Sequence, residues 1–264
     1  MTTGSPRKTA LVTGASGGIG YELAKIFAQN DYNLVLVARK QQQLQQIADE
    51  FGKQYGVNTT VIALDLADPH SPDHLHNELR SRSIVVDVLI NNAGFASYGP
   101  FADADPQQQL QMLQLNIVTL THLTRLLLPS MIERRSGKIL NIASTAAFMP
   151  GPLMAVYYAT KAYVLSFSEA LNEELRGTGV GVTALCPGPT ETGFQSRAAM
   201  EESRLVQSGL MDAATVALAG YRGLMRGSAV VIPGRSNVWL TLVPRLLPRS
   251  IVPRLVKRAQ DRTH

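Results

Sequence analysis

Residues 9–20 read Thr-Ala-Leu-Val-Thr-Gly-Ala-Ser-Gly-Gly-Ile-Gly, and this stretch decides the fold. The apolar run Ala10 to Val12 is short and does not alternate with polar residues, as in a strand buried on both faces. After the glycines, Ile19, Leu23, Ile26 and Phe27 fall at helical spacing on one face. A strand, a glycine-rich turn and a helix in that order are what a dinucleotide pyrophosphate needs. Glycines let the backbone come close, and the helix N-terminus offers unpaired N–H groups and a favourable dipole. The spacing leaves two patterns open: Gly14, Gly18 and Gly20 fit G-x-x-x-G-x-G, while Gly14, Gly17 and Gly20 fit G-x-x-G-x-x-G.

Outward from this loop the same rhythm repeats. Apolar runs recur at Leu34 to Val37, Val61 to Leu64, Val85 to Ile90, Ile139 to Ile142, Val180 to Leu185 and Ala229 to Ile232, with helical patterns between them. Gly56, Pro106, Gly137, Gly179 and Gly227 mark the joints. The pattern predicts an α/β fold: a Rossmann-like, doubly wound, seven-stranded, mainly parallel sheet with helices on both faces. No linker or repeat divides the chain, so residues 1–264 are expected to form a single domain.

Composition narrows the function classes. With 45% apolar and 17% charged residues the chain can fill a core. Cys186 is the single cysteine and cannot make an internal disulfide or a zinc site alone. His70, His74 and His76 lie in a stretch that reads as loop and helix start, so no metal site is expected. Met1 to Lys8 lacks the pattern of a signal segment, and no uninterrupted apolar run is long enough to span a bilayer, which predicts a soluble, cytoplasmic protein. Of the net charge of +5, residues 235–264 carry seven basic residues against one acid, Asp261, so the rest of the chain is near neutral. That balance speaks against nucleic-acid binding, which needs a basic reading surface.

The second strand ends in Val37-Ala38-Arg39-Lys40. An NAD site commonly places an acid there for the ribose hydroxyl; here Arg39 stands instead and can pair with a 2′-phosphate, which favours NADP(H). Asp65 and Leu66, after the third strand, are expected beside the adenine, with a helix N-cap as the competing local role of Asp65.

Tyr157 and Lys161 stand one helical turn apart, so both side chains leave the helix on one face. A cation beside a phenol favours the phenolate and fits the pair for proton transfer near neutrality. Ser144 ends the fifth run, Asn91-Asn92-Ala93-Gly94 ends the fourth, and Cys186-Pro187-Gly188 with Thr192 follows the sixth. Asn116 lies inside a long apolar helix, where an amide needs a partner. In open α/β sheets the carboxyl edge of the strands holds the ligand.

Taken together, Thr13-Gly14-x-x-x-Gly18-x-Gly20, Asn91-Asn92-Ala93-Gly94, Asn116, Ser144, Tyr157-x-x-x-Lys161 and Pro187-Gly188-x-x-x-Thr192 resemble the short-chain dehydrogenase/reductase family over roughly residues 8–235. The resemblance implies hydride exchange between a nicotinamide and a carbonyl or alcohol. In it Tyr157 donates or accepts the proton, Lys161 lowers its pKa and binds the ribose, Ser144 binds the substrate oxygen, and Asn116 holds a relay water. Gly14, Ser16, Gly18, Ile19, Gly20, Asn91, Ala93, Gly94, Pro187, Gly188 and Thr192 would shape the cofactor cleft, with a substrate lid at 190–210. A nucleotide-sensing regulator or interaction protein on the same fold is the competing reading; it would need none of Asn116, Ser144, Tyr157 and Lys161 as a set.

Two surfaces invite partners. Leu110 to Ile132 is apolar nearly all round, and Ala159, Ala162, Ser166 and Ala170 give the Tyr157 helix a second, small-residue face. A homodimer or homotetramer would cover both. In the extension 235–264, apolar residues alternate with arginines, and Pro244, Pro248 and Pro253 forbid one long helix. It is expected to wrap the body, or to meet anionic lipid or an acidic carrier delivering a lipophilic substrate.

Overall fold

The computed structural model describes residues 7–193 and 210–260. Seven strands form one sheet: β1 (Thr9–Thr13), β2 (Asn33–Ala38), β3 (Thr59–Ala63), β4 (Val88–Asn91), β5 (Gly137–Ile142), β6 (Val180–Leu185) and β7 (Val230–Val231). Their order is β3-β2-β1-β4-β5-β6-β7, and every neighbouring pair is parallel. Each apolar run of the sequence supplies one strand. The fourth starts later than its run does: Val85 is exposed, and regular pairing begins at Val88.

Helices cover both faces, as parallel crossovers require. On one side lie α1 (Gly18–Gln29) and α2 (Gln41–Tyr55), with α7 (Ala213–Arg226) beside α1. Helix α2 buries Leu44, Ile47, Ala48 and Phe51, one stripe at helical spacing, and turns its glutamines to water. The other side holds α3 (Ser71–Ser81), α4 (Pro106–Leu113), α5 (Leu120–Glu133) and α6 (Ala155–Glu174). Leu75, Leu79, Leu123, Leu127, Met131 and Val164 fill the core there.

Helices α4 and α5 are joined without a break by a π-helical turn at Gln114–Thr119. The combined run Pro106–Glu133 is long and apolar enough to cross a membrane by length and composition, although no stretch of it is uninterruptedly apolar. Its inner face is committed to the protein core through Met112, Leu120, Leu123, Leu127 and Met131. Leu110, Val118 and Ile132 remain exposed on its outer side, as are Ala159, Ala162, Ser166 and Ala170 on α6.

The C-terminal extension forms two helices, α8 (Arg235–Leu246) and α9 (Val252–Gln260). Pro248 lies between them and Pro253 in the first turn of α9, where a missing N–H costs nothing. Pro244 sits inside α8 near its end. The extension does wrap the body: Asn237, Thr241, Val252 and Gln260 are buried. The expected lid at 190–210 falls mostly on residues 194–209, outside the described residues.

Candidate active site

The strand order reverses between β1 and β4, and a cleft of about 840 Å³ opens at the carboxyl ends of the strands there. One hydroxyl ties its floor together. Thr13 Oγ1 donates to Ile90 O (3.1 Å) and accepts from the N–H groups of Asn92 (2.9 Å) and Ala93 (3.0 Å). Asn92 Nδ2 returns the contact to Thr13 O (2.9 Å) and Gly14 O (3.2 Å).

The glycine loop fits an anion. Helix α1 starts with no capping side chain and no acid in its first turn, so its first N–H groups remain to be met from the cleft. Gly14, Ser16, Gly17, Gly18 and Ile19 line that space. Gly14 and Gly18 both have positive φ, 66° and 53°, which a side chain would strain. Gly20 does not line the cleft. A Cβ there would lie 2.3 Å from Gly14 O, so its role is to let α1 lie close against the loop. Gln43 Nε2, from α2, donates to Ser16 O (2.7 Å) and braces the turn. Arg39 and Lys40 flank the same end of the cleft, and Arg39 is solvent-exposed.

Asp65 and Leu66 also line the cleft, but Asp65 is not a helix N-cap. Its Oδ1 accepts from Ala67 N (3.0 Å) in a local turn, and α3 begins only at Ser71. Asn91 is placed differently from the sequence reading. As the last residue of β4 it turns its side chain into the core, where Nδ2 donates to Thr124 Oγ1 (3.1 Å) and Asn141 Oδ1 (2.9 Å). The cleft is lined instead by its neighbour Asn92, together with Ala93 and Gly94.

At the far end Ser144, Tyr157 and Lys161 converge on one wall, joined by Pro187 and Gly188, while Thr192 lines the cleft beside Gly18 of the glycine loop. Ser144 leaves β5 and caps a 3₁₀ turn, Thr145–Phe148, accepting from Ala146 N (3.1 Å). Its hydroxyl donates to Pro187 O over a long 3.4 Å and hydrogen-bonds the Tyr157 side chain. Burial pushes the Tyr157 phenol well above its ordinary value, and the Ser144 bond pulls it partly back. Lys161 is buried, which pushes its ammonium down to about 8. Its Nζ donates to Ile142 O (2.7 Å) and stands 5.7 Å from the centre of the Tyr157 ring. Both side chains leave α6 on its buried face, so burial acts on each in opposite directions, raising the phenol and lowering the ammonium.

Asn116 occupies the π turn, a local widening that is often found at functional sites. Both amide N–H groups are used: Nδ2 donates to Phe95 O (3.0 Å) and Thr160 Oγ1 (3.1 Å), and Oδ1 accepts from Phe95 N (3.2 Å). The side chain therefore pins the segment after β4 onto α6. Cys186 is packed among Leu120, Ala143 and Val164, and burial pushes its thiol up to about 12, the state of an inert core residue. Among the described residues no cluster of three His, Cys, Asp or Glu side chains could hold a metal ion.

The family model of the short chain dehydrogenases matches residues 8–203. The chain belongs to that family. It is 37% identical over 187 residues to a very-long-chain 3-oxoacyl-CoA reductase of Phaeosphaeria nodorum, covering 69% of this chain and 55% of that protein. The chain thus spans little more than half the length of that relative. It is 33% identical over 241 residues to the ketoacyl reductase HetN of Nostoc, covering 91% and 83%. Among solved structures, a short-chain dehydrogenase from Sphingobium yanoikuyae in complex with NADPH superposes with a TM-score of 0.82 at 33% identity, over 90% of this chain and 93% of that one.

Proposed function

We propose that this short-chain dehydrogenase is an NADP(H)-dependent carbonyl reductase and alcohol dehydrogenase whose substrate is a lipophilic ketone, first of all a 3-oxoacyl thioester. The observation that carries it is the convergence of Ser144, Tyr157 and Lys161 on one wall of the cleft that the glycine loop opens. The substrate class draws on the two reductases named above and on the apolar lining supplied by Phe95, Leu115 and Met154. A non-catalytic nucleotide sensor has no use for that wall.

Gly14, Ser16, Gly17, Gly18 and Ile19 would hold the pyrophosphate, Arg39 the 2′-phosphate, Asp65 and Leu66 the adenine side, and Thr192 the nicotinamide end. When bound, the cofactor supplies or takes the hydride. The chain's own residues handle oxygen and proton. Ser144 can turn its weakly held hydroxyl from Pro187 O to the substrate oxygen. Tyr157, kept protonated by burial, donates its proton to that oxygen as negative charge gathers there. Lys161 keeps a cation beside the phenolate left behind and has two further N–H groups beyond the one held by Ile142 O. NADPH consumption with 3-oxoacyl thioesters, long-chain ketones and short ketones tests the reading; no consumption with any of them would overturn it.

The pH dependence follows. Lys161 is charged below about 8 and neutral above it, while Tyr157 holds its proton throughout that range. Ketone reduction is expected to keep a plateau on the acid side of about 8 and to fall as pH rises through it. Measuring kcat/KM from about pH 6 to about pH 10 checks the sign. A rise through the same range would mean that the neutral amine is the working form.

The exposed apolar faces of α4–α5 and the small-residue face of α6 support a homodimer or homotetramer, which would bury them against a second copy. The outer face of α8 and α9 supports peripheral contact with an anionic membrane. Residues 235–260 hold Arg235, Arg245, Arg249, Arg254, Lys257 and Arg258 and no acid. Between these charges, Trp239 is 69% exposed and Leu246 85%, with Val243, Ile251 and Leu255 also exposed. Each basic residue near an anionic surface contributes about 1 kcal/mol, and apolar side chains insert beside it. Trp239 is the only tryptophan, so its emission reports on this face alone. Vesicles containing phosphatidylglycerol should shift it to the blue at low salt and pure phosphatidylcholine should not. No shift with either would leave the extension a structural wrap.

A further inference from the structure

Helix α9 does more than cover surface. Val256 packs on a cluster that includes Ala96, Met112, Met154, Tyr157 and Tyr158, and the last three of these line the cleft. At the end of the helix Gln260 is buried. Its Nε2 donates to the Tyr158 hydroxyl, and its main-chain O accepts from the Tyr98 hydroxyl at 2.8 Å. Tyr158 lines the cleft, and its ring meets the Tyr157 ring edge-on with centroids 6.1 Å apart. One residue from the far end of the chain thus touches two tyrosines that flank the reacting phenol.

We propose that Gln260 is a positioning residue for the substrate pocket: by bonding Tyr158 and Tyr98 together it docks α9 behind the pocket and fixes the Tyr158 ring that walls it. This rests on reading that half of the cleft as a ketone site. The wall formed by Phe95, Leu115, Met154 and Tyr158 is apolar apart from the tyrosine hydroxyl, and Gln260 occupies that hydroxyl from behind. The ring therefore presents its apolar body to the cleft, which suits a substrate carrying a hydrocarbon chain. Such a substrate feels the position of the wall along its whole length, whereas a short ketone beside Ser144 and Tyr157 touches little of it. Gln260 Oε1 is buried with no partner among the described residues, and an orphaned acceptor penalises the docked state.

Helix α9 carries its own reporter. Arg254, Lys257 and Arg258 are exposed trypsin sites, and a docked helix resists cleavage until it opens. In the full-length chain Gln260→Met keeps the length of the side chain and removes both amide groups. It is expected to speed tryptic loss of the C-terminus about 10-fold while the body stays intact. Tyr158→Phe should do the same, and the double variant should be no faster than either alone, since both changes break one contact. In the same chains Gln260→Met should raise KM for 2-undecanone roughly 3–10-fold, leave KM for 2-butanone nearly unchanged, and leave the NADPH Kd as it was. Should Gln260→Met melt with the whole body, Tyr98→Phe carries the same cleavage test with Gln260 in place. Wild-type cleavage rates in these variants, or effects that multiply in the double variant, would overturn the latch. Faster cleavage with both ketone KM values unmoved would overturn its positioning role. Turnover of neither ketone by the unaltered chain would overturn the reductase reading, and the cleavage results would still decide the latch.

Discussion

Tyr157→Phe is expected to lower ketone reduction by roughly 10²–10⁴-fold and to change NADPH affinity by less than about 2-fold. The substitution removes one oxygen and keeps the ring, so the packing of Tyr157 against Met154 and Tyr158 survives. What is lost is the proton that burial holds on the phenol at neutral pH. Neither neighbour can replace it. The Tyr158 hydroxyl is engaged by Gln260, and four residues on from it stands Ala162 rather than a lysine. Lys161 has its Nζ 5.7 Å from the centre of the Tyr157 ring, beside the phenol rather than in its place. Stopped-flow reduction with each variant, beside an NADPH titration, separates the two effects. Near-normal kcat in Tyr157→Phe with loss in Tyr158→Phe would show that the adjacent phenol is the acid.

Much of this arrangement was legible in the sequence because parallel strands buried on both faces leave compact apolar runs, and each run from Ala10 to Ile232 marks a strand. The wall of Ser144, Tyr157 and Lys161 was legible for a related reason. Ser144 follows a strand end, and Tyr157 and Lys161 share a helix face, so local geometry alone brings them to one edge. Where the reading slipped, the missing information was either one residue wide or very long in range. Asn91 and Asn92 are the same residue type at successive positions of a strand end, and only the pleat decides which faces the core and which the cleft. Thr13 and Asn92 form the floor because β4 inserts beside β1, an adjacency that no spacing in the chain encodes. The engagement of the Asn116 amide with Phe95 depends on a π turn that apolar periodicity does not reveal. The contact of Gln260 with Tyr158 joins residues 102 positions apart, and in sequence Gln260 is simply a polar residue near a basic end.

Arg39→Ala is expected to weaken NADPH binding ~10–150-fold, the range of a charge-assisted hydrogen bond worth ~1.5–3 kcal/mol, and to leave NADH affinity within about 2-fold. The argument turns on what stands at the end of β2. Ala38 closes the strand, and Arg39 and Lys40 follow it before α2 begins at Gln41. No carboxylate is there to receive a ribose hydroxyl, and a bare 2′-phosphate would meet two cations. Among the described residues Arg39 makes no salt bridge, so its guanidinium is not already committed to a protein carboxylate. Its exposure sets where in the range the effect should fall. Water and salt screen a surface contact, so the loss should shrink as ionic strength rises, while a purely steric role would not respond to salt. Lys40 can cover part of the deficit, and a chain with both residues replaced should lose more than Arg39→Ala does. Fluorescence titration of NADPH and NADH at low and high salt measures all of these at once. Equal affinity of the unaltered chain for the two cofactors would remove the basis of the NADP(H) assignment, and Arg39 would then be an ordinary solvated charge at the start of α2.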